Sequence, residues 1–401
     1  MAPIAALMTG RGAGAIATIQ LVGDSGETVL REIFRQADDR PLEFTVGRVL
    51  LGNIVEGEQT IDQVTVGCED GGAFAIHCHG NPLIVEKIMG LLQRQGVQPV
   101  RAEHLLGRVL MSREPSNSIS VEAKLALTTV KTIEGAAIIA NQVKTGLAGV
   151  ARRWLDGLDS IGLDQIAADA KRILKDSETA RLILSGCTIA VVGPPNTGKS
   201  TLLNALAGRE KAIVTDIPGT TRDWVSAEIR IPPLSATIID TAGFDPAPAT
   251  AGSVDQAAQH KGIEALNRAD LVLLMLDASQ PADQLRTCED IGHRGHRDPR
   301  AGKRTVVVLN KTDLPPRLDI SALPEYLRQA VHISAKQETG IEDLIHAVHQ
   351  TCGVADLSLR AVVAFTERQR NLIDQLTEVK VRDETIHVVA ELLHGPLSAP
   401  E

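Results

Sequence analysis

Gly193-Pro-Pro-Asn-Thr-Gly-Lys-Ser200 has the spacing G-x-x-x-x-G-K-S, in which glycines let the main chain approach a polyphosphate and a lysine supplies a cation. Backbone N–H groups from Gly193 to Gly198 are expected to face the phosphates, with the positive end of a helix starting near Lys199 behind them. Lys199 is expected to reach the β- and γ-phosphates and the Ser200 hydroxyl to ligate Mg²⁺, while Asn196, Thr197 and Thr201 complete the predicted loop set.

Such a loop needs support, and it comes in order along the chain as Asp240-Thr-Ala-Gly243, Asn310-Lys-Thr-Asp313 and Ser334-Ala-Lys336. Asp240 ends a strand, so its carboxylate can meet the metal shell, and Gly243 can offer an N–H to the γ-phosphate. Between them, Pro218-Gly-Thr-Thr-Arg-Asp223 carries hydroxyls suited to closing over Mg²⁺, with Thr221 assigned to the metal. The Asp313 carboxylate can accept from guanine N1–H and the 2-amino group, donors that the matching edge of adenine lacks. Asn310 and Lys311 flank it, and Ser334, Ala335 and Lys336 can present backbone to guanine O6. The spacing therefore predicts a guanine-nucleotide site with GTP as ligand. Ras-like enzymes place a water-orienting Gln after the second motif, whereas this chain has Phe244, so hydrolysis must use another arrangement or be slow.

The surrounding sequence must position these residues. At 401 residues the chain has room for two or three domains. With only eight aromatics (five Phe, two Trp, one Tyr), aliphatic side chains must fill the cores. From Ile4 to about Leu110 short strands alternate with two predicted helices, one capped by Asp24 and running through Phe34, the other capped by Asn81 and ending at Gly96. Ala15–Val22, Arg48–Val55, Ile61–Cys68 and Ala73–Cys78 read as strands, the last two joined at Glu69-Asp-Gly-Gly72. Helices are expected within 120–158 and 163–184. Cys187–Val192 then opens an alternation of buried strands (Ala236–Ile239, Leu271–Leu276, Thr305–Leu309) with helices, the rhythm of a parallel sheet. Thr366–Val379 and Asp383–Leu393 return to helix.

Composition narrows the partners. A net charge of −9 argues against a broad basic surface for nucleic acid, so any RNA contact must be local, with Arg294, Arg297, Arg300, Lys303 and Arg304 as the candidate stretch. Five scattered cysteines without C-x-x-C spacing suit a reducing cytoplasm. No apolar run approaches the roughly 18 residues that span a bilayer, so no membrane association is expected. His77 and His79 share a strand face without further ligands, which favours ordinary strand-end histidines over a metal site.

The run from Asn196 through Lys199, Ser200, Arg209 and Pro218-Gly-Thr-Thr-Arg-Asp223 closely resembles the TrmE (MnmE) tRNA-modification GTPases; Era-like GTPases share much of it. Gly10–Gly23 resembles that family's opening strand and His79-Gly80 its His-Gly-Gly turn. The resemblance implies an α/β P-loop GTPase domain inserted in an all-α helical domain and preceded by an α+β folate-binding-like N-terminal domain. The expected segments are 1–116, 117–184, 185–354 and 355–401. It further implies a homodimer formed through the N-terminal domain, a tetrahydrofolate derivative bound there, and an FAD-dependent partner in modifying the wobble uridine of tRNA. K⁺ is implied in place of an arginine finger, held by Asn196 and by Thr215 and Thr220 within a segment that wraps it. Aligning Gly262-Ile-Glu264 with the family's Gly-Ile-Glu puts Gln259 where a Glu orients water, with Asp255 the other candidate.

This sequence also departs from the family. It ends Pro-Leu-Ser-Ala-Pro-Glu401 where the family ends Cys-x-Gly-Lys, and Cys352-Gly353 is no substitute because Val354 follows. The family's Phe-Leu-Asn-Gly-Lys segment is not recognisable between Glu103 and Lys124. Two alternatives therefore stand beside tRNA modification: a regulatory GTP switch in RNA or ribosome assembly, and a degenerate paralogue that binds GTP without modifying tRNA.

Overall fold

A computed structural model describes residues 2–10, 12–38, 41–70, 72–113, 117–157, 160–209, 225–240, 266–281, 304–319 and 328–395. The chain divides into two compact units, Met1–Val121 and Glu122–Glu401.

In the first unit β1 (Ile4–Leu7), β2 (Ile16–Val22), α1 (Gly26–Ile33), β3 (Phe34–Gln36), β4 (Val49–Glu56), β5 (Gln59–Asp70), β6 (Ala73–His79), α2 (Pro82–Arg94), β7 (Gln98–Pro99) and α3 (Ala102–Arg113) follow in order. The strands form one sheet, β3-β4-β5-β6-β2-β1-β7, antiparallel apart from the β1–β7 pair. Ile19 and Leu21 alternate with Thr18 and Gln20, so one sheet face buries Ile19, Leu21, Ile54, Val64, Val66, Phe74 and Ile76 against Leu30, Ile88 and Leu92 of the helices. Asn81 caps α2 by accepting from Leu83 N at 3.0 Å. Two expectations are corrected here. Ser25 stands at the N-cap of α1 instead of Asp24, and the helix stops at Ile33 because Phe34 is extended (φ −110°, ψ 134°). A third helix, α3, packs Leu105 on Ile4 and Ala6. Arg101 precedes it, so no capping side chain announces it.

The division falls within α4 (Ser118–Ala126), and the second unit continues through α5 (Ile133–Gln142), α6 (Leu147–Asp156), α7 (Leu163–Ser185), β8 (Cys187–Val192), α8 (Lys199–Arg209), β9 (Val225–Ile231), β10 (Leu234–Asp240), β11 (Leu271–Asp277), β12 (Arg304–Asn310), β13 (Val331–His332), α9 (Ile341–Cys352), α10 (Glu367–Gln375) and α11 (Arg382–His394). Its sheet has the order β13-β12-β11-β8-β10-β9 and is parallel except at the edge, where β9 runs antiparallel to β10. The expected parallel sheet thus carries one antiparallel edge strand. All seven residues of β11 are buried, as a strand covered on both faces requires.

The helices before and after this sheet pack on each other, α10 against α7 and α11 against α6. Buried polar groups fix the pairing. The Glu122 carboxylate accepts from Thr366 Oγ1 (3.0 Å), Arg368 Nε and Nη2 (both 2.8 Å) and Gln369 Nε2 (2.7 Å). Gln142 Oε1 accepts from Leu147 N (3.0 Å) and Val363 N (3.2 Å), while its Nε2 donates to Ile138 O (2.8 Å) and Ala361 O (2.9 Å). Ser177 Oγ accepts from Ala364 N at 2.8 Å. Further ties reach the sheet: Arg181 donates to Asp270 at 2.5 Å, Asp270 accepts from Thr188 N at 2.9 Å, and Lys131 pairs with Glu228 at 3.0 Å.

Removing the Glu122 carboxylate takes the counter-charge and two hydrogen bonds from the Arg368 guanidinium, which keeps only the Glu391 and Leu392 carbonyls, and takes the acceptor from Gln369 Nε2. Glu122→Ala is therefore expected to destabilise the second unit by about 2 kcal/mol, between the cost of breaking an exposed ion pair and a buried one. Urea unfolding followed by circular dichroism checks this, and a loss below about 1 kcal/mol would show that the cluster is no structural hub.

Candidate nucleotide-binding site

The predicted loop Gly193–Ser200 joins the end of β8 to the start of α8. Gly193 has φ 151°, and a Cβ there would collide with the Met275 carbonyl of β11; Gly198 has φ 96°, and a Cβ there would collide with Asn310 Nδ2. Both positions thus exclude any side chain for packing reasons alone. Asn196 takes the left-handed conformation at φ 64°, which short polar side chains tolerate better than most. Thr197, 2% exposed, donates from Oγ1 to Pro194 O at 3.0 Å, and Lys199 Nζ reaches back to Gly193 O (2.9 Å) and Pro194 O (3.0 Å). Ser200 and Thr201 lie in the first turn of α8, and Asp240 ends β10 in register with Val191 of β8.

The guanine-reading residues meet this loop through one side chain. Asn310, the last residue of β12 and 2% exposed, donates from Nδ2 to Thr197 O (2.7 Å) and accepts at Oδ1 from Ala335 N (2.9 Å). Asp313 Oδ1 accepts from the buried Ser334 hydroxyl at 2.7 Å, which orients the carboxylate and links it to the Ser334–Lys336 segment. That segment is closed by reciprocal backbone bonds between Ser334 and Thr339. The structure therefore brings together Gly193, Asn196, Thr197, Gly198, Lys199, Ser200, Asn310, Lys311, Asp313, Ser334 and Ala335 at the carboxyl ends of parallel strands, where ligands of open α/β sheets bind. Gly243, Thr215, Thr220, Thr221, Phe244, Asp255, Gln259 and the basic residues from 294 to 303 lie outside the described residues.

One group here was not singled out from sequence. Asp277 ends β11 and is 3% exposed; its Oδ2 pairs with Lys311 Nζ at 2.7 Å, and its Oδ1 accepts from Ser279 N (2.9 Å) and Oγ (2.7 Å). Burial alone would raise its carboxyl, but the Lys311 and Ser279 donors outweigh this and hold it below the ordinary carboxylate value. Its signal was an acidic residue directly after the apolar run Leu271–Leu276.

The histidines of β6 are satisfied locally. His77 Nδ1 lies 3.0 Å from Thr18 Oγ1, and His79 Nδ1 lies 2.7 Å from Asp62, which also accepts from His79 N. Among the described residues no group of three or more His, Cys, Asp or Glu is placed to hold a metal ion, and no helix is long and apolar enough to cross a membrane. Cys352, fully buried, ends α9.

A family model described as a 50S ribosome-binding GTPase matches residues 188–311, so the second unit contains a P-loop GTPase domain. Longer matches come from curated proteins named tRNA modification GTPase MnmE. That of Clostridioides difficile (strain 630) is 30% identical over 376 residues, 85% of this chain and 80% of its own length. That of Natranaerobius thermophilus is 30% identical over 419 residues, covering 94% and 87%, and that of Parasynechococcus marenigrum is 31% identical over 398 residues, covering 90% and 83%. By these matches, which run through both units, the chain belongs to the MnmE family of tRNA modification GTPases.

Proposed function

We propose that this protein binds guanine nucleotide at the junction of the Gly193–Ser200 loop with Asn310–Asp313, hydrolyses GTP, and takes part in tRNA wobble-uridine modification. The observation that carries the nucleotide reading is Asn310, whose buried amide ties the phosphate loop at Thr197 to the base-reading segment at Ala335. A fold-only role for these loops would not call for an oriented, exposed carboxylate at Asp313.

The donor set suits Mg²⁺: a hydroxyl at Ser200 stands in the first turn of α8, directly after the loop that leaves β8, and a carboxylic residue at Asp240 ends β10, the hydrogen-bonded neighbour of β8. Ser200, Asp240 and Thr221 would hold the ion, which offsets negative charge on the phosphates. The left-handed Asn196 supports a K⁺ site beside the loop, with Thr215 and Thr220 completing it. Gln259, with Asp255 as the weaker candidate, would orient the attacking water in a slow hydrolysis.

The remaining family features belong to the same proposal. The GTPase domain (185–354) is an insertion between two parts of a helical domain (117–184 and 355–401), a reading supported by the Glu122 and Gln142 hydrogen bonds to residues 361–369. Residues 1–116 would bind a tetrahydrofolate derivative and form a homodimer, supported by exposed Val49 and Leu51 on one face of β4. An FAD-dependent partner, local tRNA contact and a cytoplasmic location complete it.

Asp313→Asn should exchange an acceptor for a donor opposite position 2 of the base. Affinity for GDP is expected to fall on the order of 100-fold, from two lost charge-assisted hydrogen bonds, while xanthosine diphosphate, with a carbonyl at that position, gains. Titration calorimetry decides it, and unchanged base preference would remove Asp313 from the site. In a phosphate-release assay, Asn196→Gly should abolish any excess of turnover in KCl over NaCl, and Gln259→Ala should lower kcat about tenfold or more in both salts. Wild-type behaviour of either variant rejects the role given to that residue. Deleting the gene should remove the modified wobble uridine from tRNA as read by mass spectrometry; intact modification would favour the regulatory switch.

A further inference from the structure

Two requirements meet at the turn that carries Asp313. Lys311 has φ 64°, a left-handed conformation costing a non-glycine residue about 1 kcal/mol or more. Its neighbours on either side must nonetheless be held still, because Asn310 bridges the loops and Asp313 reads the base. Backbone bonds account for part of this: Thr312 N donates to Ile333 O (3.2 Å), Leu314 N to Lys311 O (3.0 Å) and Ala278 N to Asn310 O (2.9 Å). The side chain of Lys311 is fixed at its far end by Asp277, and Asp277 is braced by both donors of Ser279. Asp277 and Asn310 are also the last paired residues of β11 and β12, so the carboxylate sits where the turn leaves the sheet.

We propose that Asp277 is a positioning residue for guanine recognition, acting through the Lys311 ammonium to hold the Asn310–Asp313 turn in the shape that binds the base. Ser279 belongs to the same device, since it occupies the other carboxylate oxygen and leaves Oδ2 for Lys311. The proposal rests on the guanine-nucleotide reading of the site. It predicts an effect confined to the base end of the nucleotide. The phosphate loop's own bonds to Gly193 O and Pro194 O do not involve Asp277, and Asn310, which bonds Thr197 O, is held in the sheet by its own backbone bond from Ala278 N.

The test is titration of the full chain with GDP, ADP and inorganic pyrophosphate in Mg²⁺ buffer. Asp277→Asn is expected to weaken GDP about tenfold, the worth of one charge-assisted hydrogen bond, and to leave pyrophosphate unchanged. Lys311→Met should weaken GDP by a similar factor, and the double variant should lose about tenfold and not a hundredfold, because both changes break one linkage. A purely structural role for Asp277 would lower pyrophosphate affinity along with GDP. That outcome overturns the proposal, as would additive losses or GDP binding within about twofold of wild type. If Asp277→Asn does not fold, Ser279→Ala carries the same test: about threefold weaker GDP with unchanged pyrophosphate supports the proposal, and unchanged GDP overturns it. Wild-type protein that binds GDP no better than ADP would instead defeat the guanine reading itself.

Discussion

The carboxamide of Asn310 is the interaction on which the site depends. Its two ends are chemically different, and both are used inside the protein, Nδ2 on Thr197 O and Oδ1 on Ala335 N. At 2% exposure, loss of either bond would strand a buried backbone group, at a cost of about 1–3 kcal/mol. This one side chain therefore sets the distance between the loop built for phosphates and the segment built for a base. The same contact explains a glycine in another motif. A Cβ at Gly198 would strike Asn310 Nδ2, so the two sequence motifs constrain each other through packing before any nucleotide binds.

The helices around this sheet are held by the same kind of device on a longer scale. Glu122, Gln142 and Ser177 each satisfy backbone or side-chain groups 187–247 residues away in sequence. Apolar packing alone is non-directional and tolerates sliding of one helix along another. A carboxylate that accepts from Thr366, Arg368 and Gln369 at once accepts only one register. Buried polar hubs thus choose among the arrangements that the aliphatic core would permit. Arg181–Asp270 then ties α7 to the start of β11, and Lys131–Glu228 ties the α4–α5 connection to edge strand β9.

Elements with local signals could be read from sequence, and elements defined by distant partners could not. The run Leu271–Leu276 announces a strand buried on both faces, and Asn81 before Pro82 announces a helix start. By contrast β9, Val-Ser-Ala-Glu-Ile-Arg-Ile, alternates polar and apolar residues as a half-covered edge strand does, and has no continuous apolar run to announce it. At α1 the acidic Asp24 reads as the cap, but the N-cap is its neighbour Ser25, which makes no side-chain cap hydrogen bond and so carries no local signal. In the site, the motif letters from Gly193 to Ser200 and from Asn310 to Asp313 identified the chemistry. Asp277 escaped because its meaning lies in Lys311, 34 residues on. Glu122 escaped for the same reason.

Backbone strain points to the same place as the motifs. Among the described residues the non-glycine positions with positive φ are Asn196, Lys311 and Glu338, at 64°, 64° and 55°. They follow β8, β12 and β13, three strands whose carboxyl ends face the same side of a parallel array. Each such residue costs roughly 1–3 kcal/mol and persists only where its surroundings over-determine it. Here the surroundings are identifiable: Asn310 holds Thr197 beside Asn196, Asp277 holds Lys311, and the Ser334–Thr339 bonds close the loop that contains Glu338. Strain is thus stored in three loops and held by hydrogen bonds anchored at the sheet. For these three loops, bonds within the protein supply ordering that nucleotide binding would otherwise have to provide.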